Sequence, residues 1–301
     1  MRVFAPASIG NVGPGFDVLG LAVDGIGDVV SVTLTDGPPR VESLTGRDAE
    51  LVPRDPLRNV AAIAATAWLR AHGDRRNAVV SIEKGLPLAG GMGGSAASSV
   101  GGAYAAALAA EHVPEPREII AAALEGEASV AGRHLDNIAP CVFGGLALCR
   151  SVDPIDVAAL PVNAAWWVAL VTPAVRVETK AARALLPDAT PRAEWIQQMA
   201  NTAALVHAFA AGDAALLSRA LDDRYAEPRR AQLIPNFYAV KRAALDMGGL
   251  ACTISGSGPT LFCIADDERA ARGAAAAMQN AFGIATTVHV GPIARQGVRR
   301  I

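Results

Sequence analysis

Residues 87–97 read Pro-Leu-Ala-Gly-Gly-Met-Gly-Gly-Ser-Ala-Ala, which places four glycines ahead of Ser95 and an alanine-rich run after it. Glycine lacks a Cβ and tolerates positive φ, so successive backbone N–H groups can converge on one phosphate. A helix that follows adds unpaired N–H donors and the positive end of its dipole. Because a strand-like stretch at 78–83 comes first, this segment, the glycine loop, has the strand–loop–helix order of an anion site.

The glycine loop is neither of the two commonest nucleotide loops. A Walker loop has a lysine directly before its final Ser or Thr, but here Gly94 precedes Ser95. A dinucleotide loop reads Gly-x-Gly-x-x-Gly, whereas this loop reads Gly-Gly-x-Gly-Gly. Two alternatives stay open at this point. One is a small-residue loop packed under a sheet; the other is a membrane helix over the uncharged run 88–110, which its Gly, Ala and Ser content disfavours.

Composition limits what such a loop can serve. A chain of 301 residues, 51% hydrophobic and 19% charged, is globular and long enough for two domains. We place the boundary so that the domains cover residues 1–155 and 156–301. A net charge of −2 argues against nucleic acid as a partner. The four cysteines lack metal-site spacing and have apolar neighbours, which predicts buried reduced thiols, and no secretory signal is visible; both favour a cytoplasmic protein without a membrane partner.

The elements around the glycine loop follow from periodicity and punctuation. The first 35 residues predict strands around a loop at 11–17, and the run from Asn59 predicts a helix. Helices are predicted over 95–111 and 117–130, and a strand bent at a glycine pair over 141–149. The second half predicts four helices between 178 and 247, then strands at 250–254, 260–265 and 284–290 with a helix at 267–282. This order indicates an α+β fold.

Two further glycine-containing segments flank the glycine loop in sequence. The first motif, residues 6–20, reads Pro-Ala-Ser-Ile-Gly-Asn-Val-Gly-Pro-Gly-Phe-Asp-Val-Leu-Gly, and the third motif, residues 254–260, reads Ile-Ser-Gly-Ser-Gly-Pro-Thr. With His-Leu-Asp-Asn-Ile-Ala-Pro at 134–140 and Glu-Pro-Arg-Arg at 227–230, the set resembles the GHMP small-molecule kinases, and within them the branch that phosphorylates L-homoserine. The likeness runs over almost the whole chain.

The resemblance implies a two-domain α+β fold, with a left-handed β-α-β crossover in the N-terminal domain and a ferredoxin-like α/β sandwich as the C-terminal domain. It implies a homodimer that transfers phosphate from ATP to the side-chain hydroxyl of L-homoserine, in threonine biosynthesis. Two alternatives stay open: a GHMP kinase for another small alcohol, such as mevalonate or a sugar, and a non-catalytic binding protein on the same fold.

For ATP and Mg²⁺, the resemblance assigns the glycine loop together with Lys84 against the phosphates and Asn59 near the adenosine. Mg²⁺ prefers hard oxygen ligands, here Ser95 and an acid upstream of residue 134. Of Glu125 and Glu127 we choose Glu127, because it precedes Gly132 by five residues, as the family's acid precedes its glycine. The loop residues so assigned are Pro87, Leu88, Ala89, Gly90, Gly91, Met92, Gly93, Gly94, Ser95, Ala96 and Ala97. Gly94 departs from the family, whose members usually carry serine there.

Homoserine carries an ammonium, a carboxylate and a hydroxyl, so its site needs an anion and a fork-shaped cation. The resemblance assigns Asp17 to the ammonium and the arginines to the carboxylate. Asp136 and Asn137 lie where the family places residues near the reacting hydroxyl. An amide cannot accept a proton, and a loose transition state needs no strong base, so we expect positioning and charge stabilisation. The substrate-binding set is Asn11, Asp17, His134, Arg183 and Arg230.

Overall fold

The first of two β-sheets lies mainly in the first half of the chain. The computed structural model describes residues 1–301. The strands of this sheet are β1 Arg2–Gly10, β2 Leu19–Thr35, β3 Arg40–Gly46, β4 Asn77–Lys84, β5 Leu146–Val152, β6 Ile155–Leu160 and β11 Arg299–Arg300. Five of them lie in the order β11-β1-β2-β4-β3, while β5 pairs with β2 and β6. The β3–β4 pair is the one parallel pair, and the others are antiparallel.

Helices cover this sheet at very short range. They are α1 Val60–Ala71, α2 Gly94–Ala109, α3 Pro116–Ala128 and α4 Ile138–Phe143. Helix α2 packs on β1 and β2 and against α1 and α3. A Cβ on Gly102 would lie 2.2 Å from the carbonyl oxygen of Ala61, and one on Gly126 would lie 2.6 Å from that of Val60. The small residues therefore let these helices approach to backbone contact. No helix is both long and apolar enough to cross a membrane.

The second sheet comes from the second half of the chain. Its strands are β7 Trp167–Pro173, β8 Ala251–Ile254, β9 Leu261–Ala265 and β10 Thr286–Pro292. They lie in the order β10-β7-β9-β8 with every pair antiparallel. Helices α9 Phe237–Asp246 and α10 Glu268–Phe282 pack on each other and on this sheet. Numbered within the domain, the strand order is 4-1-3-2, as in a ferredoxin-like sandwich, so that prediction is confirmed.

Four shorter or connecting helices lie between β7 and α9. They are α5 Thr179–Ala184, α6 Arg192–Ala211, α7 Ala214–Ala220 and α8 Glu227–Arg230. Asp223 holds the turn that leads into α8, since its carboxylate accepts the backbone N–H groups of Tyr225, Ala226 and Glu227 at 2.8–3.0 Å. That turn fixes the helix that carries Arg230, because the carboxylate satisfies N–H groups that a helix start leaves unpaired.

The apolar core joins the two halves. One cluster of 57 buried residues includes Trp166, Phe209 and Ile264 from the second half as well as the first sheet. The predicted boundary at 155/156 lies at the β5–β6 hairpin, and β6 and β11 both belong to the first sheet. The first sheet therefore includes strands from both sides of the predicted boundary. The division into domains at 155/156 stays a prediction.

The prediction of a strand over 141–149 is wrong in its first part. Residues 138–143 form α4, and β5 starts only at Leu146. Gly144 and Gly145, both at positive φ, separate the helix from the strand. An apolar run this short does not distinguish a buried helix from a strand by periodicity. Strands β3, β6 and β11 were absent from the predicted elements, and all three are edge or hairpin strands with many exposed positions.

Candidate active site

A cleft of about 320 Å³ brings together residues from all three glycine-containing motifs. The glycine loop forms one wall, α5 and α8 supply arginines to another, and the segment around Asp136 forms the base. The predicted residues that line it are Asn11, Asp17, Lys84, Pro87, Leu88, Ala89, Gly90, Gly91, Gly93, Gly94, Ser95, Glu127, His134, Asp136, Asn137, Arg183 and Arg230. Residues 170 or more positions apart in sequence thus share one site.

The glycine loop needs its glycines for two separate reasons. Gly91 and Gly93 have φ of 75° and 66°, values that only glycine adopts without strain. A Cβ on Gly91 would lie 2.6 Å from the carbonyl oxygen of Ser255, and one on Gly93 would lie 1.9 Å from Ser8 Oγ. The loop is therefore pressed between the third motif and β1, and a side chain at either position would displace a neighbour.

The loop's carbonyl groups are turned toward the protein. Ser255 Oγ donates to the Gly91 carbonyl at 2.5 Å, the Ser8 N–H donates to that of Met92 at 3.2 Å, and Thr260 Oγ1 donates to that of Gly90. By contrast, the eight consecutive backbone N–H groups from residue 89 to residue 96 donate to no protein group. The last three belong to the first turn of α2, whose dipole adds positive potential. This is the geometry of an anion-binding nest.

A buried ion pair holds the loop from below. Asp28, fully buried, pairs with Lys84 Nζ and accepts the N–H groups of Gly85 and Leu86 at 3.1 and 3.2 Å. Lys84 Nζ also donates to the Gly94 carbonyl at 3.1 Å and to Ser98 Oγ at 3.0 Å. All three ammonium protons of Lys84 therefore have protein partners, and its charge is already neutralised. Asp28 was missing from the predicted site.

Ser95 and Glu127 meet in the cleft. Ser95 Oγ donates to Glu127 Oε1 at 3.0 Å, while Glu127 Oε2 is buried and has no hydrogen-bond partner. Burial raises the pKa of Glu127 to about 7, and the Ser95 hydrogen bond and the Lys84 charge offset part of that rise. Glu125, in contrast, is exposed and pairs with Arg133 at 3.2 Å. A buried carboxylate oxygen without a partner, beside a hydroxyl, is a donor set that suits a hard cation.

Asp17 and Arg183, expected at opposite ends of the substrate, contact each other. The guanidinium donates to both carboxylate oxygens of Asp17, at 2.8 and 3.0 Å, and this hydrogen bonding raises the pKa of Arg183. His134 Nδ1 lies 3.7 Å from Asp17 Oδ1, and burial lowers the pKa of His134. The pair is about one-third exposed, so both groups are accessible from the cleft.

Arg230 is a buried cation without a counter-ion. It is 3% exposed and has no carboxylate partner; it donates to the carbonyls of Gly256 at 2.9 Å and Ala182 at 3.4 Å. Burial, and then the nearby Arg183 charge, lower the pKa of Arg230. A buried unpaired guanidinium favours an anion beside it.

Asn11 is occupied with the protein itself. Its side-chain oxygen accepts the Asp17 N–H at 2.9 Å, and its Nδ2 donates to the Gly256 carbonyl at 3.0 Å. Asn11 therefore joins the first motif to the third. The Gly256 carbonyl also accepts a hydrogen bond from Arg230. The loop that it holds is strongly bent, with positive φ at Asn11, Val12 and Asp17.

Asp136 and Asn137 lie at the base of the cleft. Asp136 Oδ2 accepts the Asn11 N–H at 3.0 Å, and burial, followed by the Asp17 charge, raises the pKa of Asp136 to about 7. Asn137 Oδ1 accepts the Ser8 hydroxyl at 2.9 Å. The Asn137 amide therefore has its oxygen engaged and its N–H₂ group available for hydrogen bonding.

Four of the predicted residues do not line the cleft. Asn59 is 1% exposed and caps α1: its side chain accepts from Ala61 and Ala62 and donates to the Pro53 carbonyl at 2.9 Å. Met92, Ala96 and Ala97 are buried behind the loop. Residues that sequence reasoning missed include Arg58, an exposed cleft cation without an ion pair, Thr179 and Ser98. None of these carries a local signal, because each reaches the cleft through tertiary packing.

Taken together, the cleft offers a nest of N–H groups, an oxygen pair for a cation, a carboxylate, a buried guanidinium and an amide. Such a set can hold a polyphosphate and a small zwitterion with its hydroxyl near the terminal phosphate. Holding and screening these groups is most of what phosphoryl transfer requires.

Comparisons with known proteins place this chain among relatives over nearly its full length. The family model described as GHMP kinases N terminal domain matches residues 59–145, and the one described as GHMP kinases C terminal matches residues 205–284. The homoserine kinase of Chlorobium phaeovibrioides is 38% identical, with 99% of this chain and 98% of that protein covered. The homoserine kinase of Pyrococcus abyssi is 40% identical, with 88% of each covered.

Solved structures give the same picture. The crystal structure of homoserine kinase from Cytophaga hutchinsonii matches with a TM-score of 0.94 at 39% identity, covering 99% of this chain and 96% of that one. A mevalonate kinase from L. major, solved with R-mevalonate, matches with a TM-score of 0.74 at 13% identity, covering 97% and 95%. At that identity the second match concerns the fold alone.

Proposed function

Because this chain belongs to the homoserine kinases of the GHMP kinase family, we propose that its cleft carries out the phosphorylation of L-homoserine by ATP. The product is O-phospho-L-homoserine, in threonine biosynthesis. The family membership confirms the prediction from the three motifs. The reading as a kinase for another alcohol is less favoured, since the mevalonate kinase match is 13% identical and the homoserine kinase matches are 38–40% identical.

The single observation that carries the ATP site is the run of eight unpaired N–H groups over residues 89–96. These donors would bind the β- and γ-phosphates, with the dipole of α2 behind them. Lys84 would act on the phosphates indirectly, because its own donors fix Gly94 and Ser98. Arg58 is better placed than Lys84 to supply free positive charge, since it lines the cleft and forms no ion pair. Asn59 would support this wall by capping α1.

Ser95 and Glu127 would hold Mg²⁺ together with phosphate oxygens. The unpartnered Glu127 Oε2 supports this assignment, whereas Glu125 is outside the cleft and paired with Arg133. When bound, Mg²⁺ screens the negative charge of the phosphates during transfer. No group of three or more Asp, Glu, His or Cys side chains is arranged to hold a metal ion by itself.

At the amino-acid end, Arg230 would receive the substrate carboxylate. Its charge is buried and unpaired, so the binding of an anion restores electroneutrality there. Arg183 would turn part of its bidentate contact from Asp17 to the same carboxylate, and the freed Asp17 would accept the ammonium. His134 lies beside Asp17 and would limit the volume at that end. Asn11 would act by holding Asp17 and Gly256 in place.

Asn137 would position the substrate hydroxyl through its N–H₂ group, and Asp136 would maintain the strained junction between Asn11 and the cleft base. In a loose phosphoryl-transfer transition state the attacking oxygen develops little charge until late. Positioning and exclusion of water are therefore the contributions we assign to these two residues. The same family membership leads us to propose a cytoplasmic homodimer with domains 1–155 and 156–301, to which the four buried free cysteines add support for a reducing compartment.

The test is a coupled ADP-release assay with Mg·ATP on L-homoserine, mevalonate, galactose and L-serine, using the wild type, Arg230→Ala and Arg229→Ala. Arg229 is the matched control, because it is the adjacent residue and pairs with Glu194 instead. We expect homoserine-selective turnover and a KM for homoserine raised about 10²-fold in Arg230→Ala, the size expected for a lost charge-assisted hydrogen bond pair.

The Arg229→Ala enzyme should retain its KM for homoserine within about threefold. Turnover selective for another alcohol would keep the kinase assignment and discard homoserine. Binding of ATP and homoserine without any turnover would instead support the non-catalytic alternative.

A further inference from the structure

The two arginines assigned to the substrate carboxylate repel each other and have unequal anchors. The Arg183 charge lowers the pKa of Arg230, and no carboxylate pairs with Arg230. Arg183 is held by Asp17, but Arg230 has only two backbone carbonyl acceptors. A group that attracts both guanidinium groups would offset this repulsion before a substrate carboxylate binds.

The aromatic ring of Phe16 contacts both arginines. Arg183 Cζ lies 5.3 Å and Arg230 Cζ lies 5.4 Å from the centroid of that ring. Both distances are within the range in which the negative potential of an aromatic face attracts a guanidinium. One ring therefore stabilises two like charges at once. A cation–π contact does not require the N–H donors that a carboxylate would accept from.

The position of Phe16 is itself fixed from two sides. The ring of Tyr225 packs edge-on against it, with centroids 5.2 Å apart and planes at 78°, and the Tyr225 hydroxyl donates to the Pro187 carbonyl at 2.9 Å. On the backbone side, Phe16 precedes Asp17, whose N–H is held by Asn11. The ring is thus placed by the same first-motif loop that places the ammonium partner.

We propose that Phe16 is a positioning residue that holds Arg183 and Arg230 as a two-armed clamp for the substrate carboxylate. This inference rests on the proposed binding of homoserine. Phe16 acts through the arginines and makes no contribution to phosphate transfer itself. An aliphatic side chain of similar volume fills the same space without the attractive ring face, so its loss is felt in substrate binding alone.

The experiment compares Phe16→Leu, Phe16→Tyr and the wild type on L-homoserine and on 3-aminopropan-1-ol, which has the ammonium and hydroxyl but no carboxylate. We expect Phe16→Leu to raise the KM for homoserine about tenfold, the size of two cation–π contacts, with kcat and the KM for ATP within about twofold. Phe16→Tyr keeps the ring face and should have the wild-type KM for homoserine. The KM for 3-aminopropan-1-ol should be the same in all three proteins.

Tyr225→Leu is the structural control: it removes the ring that packs on Phe16 but keeps the Phe16 ring itself beside both arginines, so we expect its homoserine KM to rise less than that of Phe16→Leu. An equal rise of the homoserine KM in Tyr225→Leu and Phe16→Leu, or an equal rise for the carboxylate-free alcohol, would overturn the inference in favour of general loosening. If Arg230→Ala raises the homoserine KM and Phe16→Leu does not, Phe16 alone is excluded. If neither variant changes it, the proposed carboxylate site fails instead.

Discussion

The carboxylate of Glu127 shows how a single residue acquires a specific role by its surroundings. One oxygen accepts the Ser95 hydroxyl, and the other is buried without a partner. Glu125, only two positions earlier, is exposed and bound to Arg133. These two acids are two positions apart on one helix but differ this much in burial. Comparing their variants therefore distinguishes the loss of a cation ligand from the loss of a surface charge.

We predict that Glu127→Gln lowers kcat about 10²-fold or more, since it removes a preorganised negative ligand from the site of phosphate charge. Glu125→Gln should stay within about twofold of the wild type. The measurement is kcat against free Mg²⁺ concentration for both variants. Equal losses in the two would show that neither acid is selectively linked to the cation.

We predict that Asn137→Asp does not raise kcat. The aspartate can still accept the Ser8 hydroxyl, as Asn137 Oδ1 does at 2.9 Å, but it loses the N–H₂ donor and adds a negative charge beside Asp136. Single-turnover phosphate transfer at several pH values tests this. A large gain in rate at high pH would show that the absence of a general base limits the wild-type reaction.

Lys84 and Asp28 form a buried pair on which the loop rests. We predict that Lys84→Met lowers the free energy of unfolding by about 3–5 kcal/mol, because it leaves the Asp28 charge buried and uncompensated. The neighbouring Glu83→Gln, which breaks an exposed pair with Arg2, should cost less than about 1 kcal/mol. Urea unfolding of both variants measures the difference. Similar values would mean that Asp28 is neutralised in another way.

At the scale of elements, the site depends on a loop that is compressed between β1 and the third motif. The carbonyl groups of residues 90–92 are bound to Thr260, Ser255 and Ser8, which turns the N–H groups of the same peptides to the cleft. The loop conformation therefore sets which N–H groups are left free for an anion. A change that rotates these peptides removes the donors without touching any charged residue.

Gly93 provides the test of this idea, with Gly73 as its matched control. Both have positive φ, 66° and 71°, but a Cβ on Gly93 would lie 1.9 Å from Ser8 Oγ, whereas one on Gly73 meets nothing within 4 Å. Gly73→Ala should cost only about 1 kcal/mol of stability and no activity. We predict that Gly93→Ala raises the KM for ATP at least about tenfold, because the loop must shift. Initial rates against ATP concentration decide between them.

At the scale of the whole molecule, the buried acids of the cleft link stability to pH. Burial raises the pKa of Asp136 from 3.8 to about 7. Between these values the folded protein binds more protons than the unfolded chain, so the free energy of unfolding falls as pH rises, by about 1.4 kcal/mol for each unit of pKa difference. Above about pH 7 the destabilisation is complete. The folded protein is therefore more stable when Asp136 is protonated and less stable when it is ionised.

We predict that Asp136→Asn is more stable than the wild type at pH 8 and that this advantage shrinks as the pH falls from 7 to 5. The amide keeps an oxygen for the Asn11 N–H but never ionises. Tm measured from pH 5 to pH 8 checks this, with Asp246→Asn, an exposed carboxylate at the end of α9, as the control whose pH profile should match the wild type. Parallel profiles for wild type and Asp136→Asn would contradict the argument.

The parts of this protein that the sequence determined by itself are those set by neighbours in the chain. The glycine loop and the helix after Ser95 follow from residue types at short spacing, because turn and helix geometry depend on local φ and on adjacent hydrogen bonds. The buried cysteines follow from their apolar neighbours, and the order of the motifs along the chain marks the family. The same reasoning failed at α4, where burial by β1 and β2 overrides an ambiguous apolar run.

Tertiary structure alone decided which charges are free. Asp28 neutralises Lys84 from 56 positions away, Arg183 reaches Asp17 across 166, and Phe16 lies against both clamp arginines. No spacing rule encodes these partners, because each contact exists only after two distant elements have packed. The sequence therefore determined which charged and polar groups the chain contains, and packing determined which of them are left unpaired in the cleft, since an ion pair depends on distance in space and not along the chain.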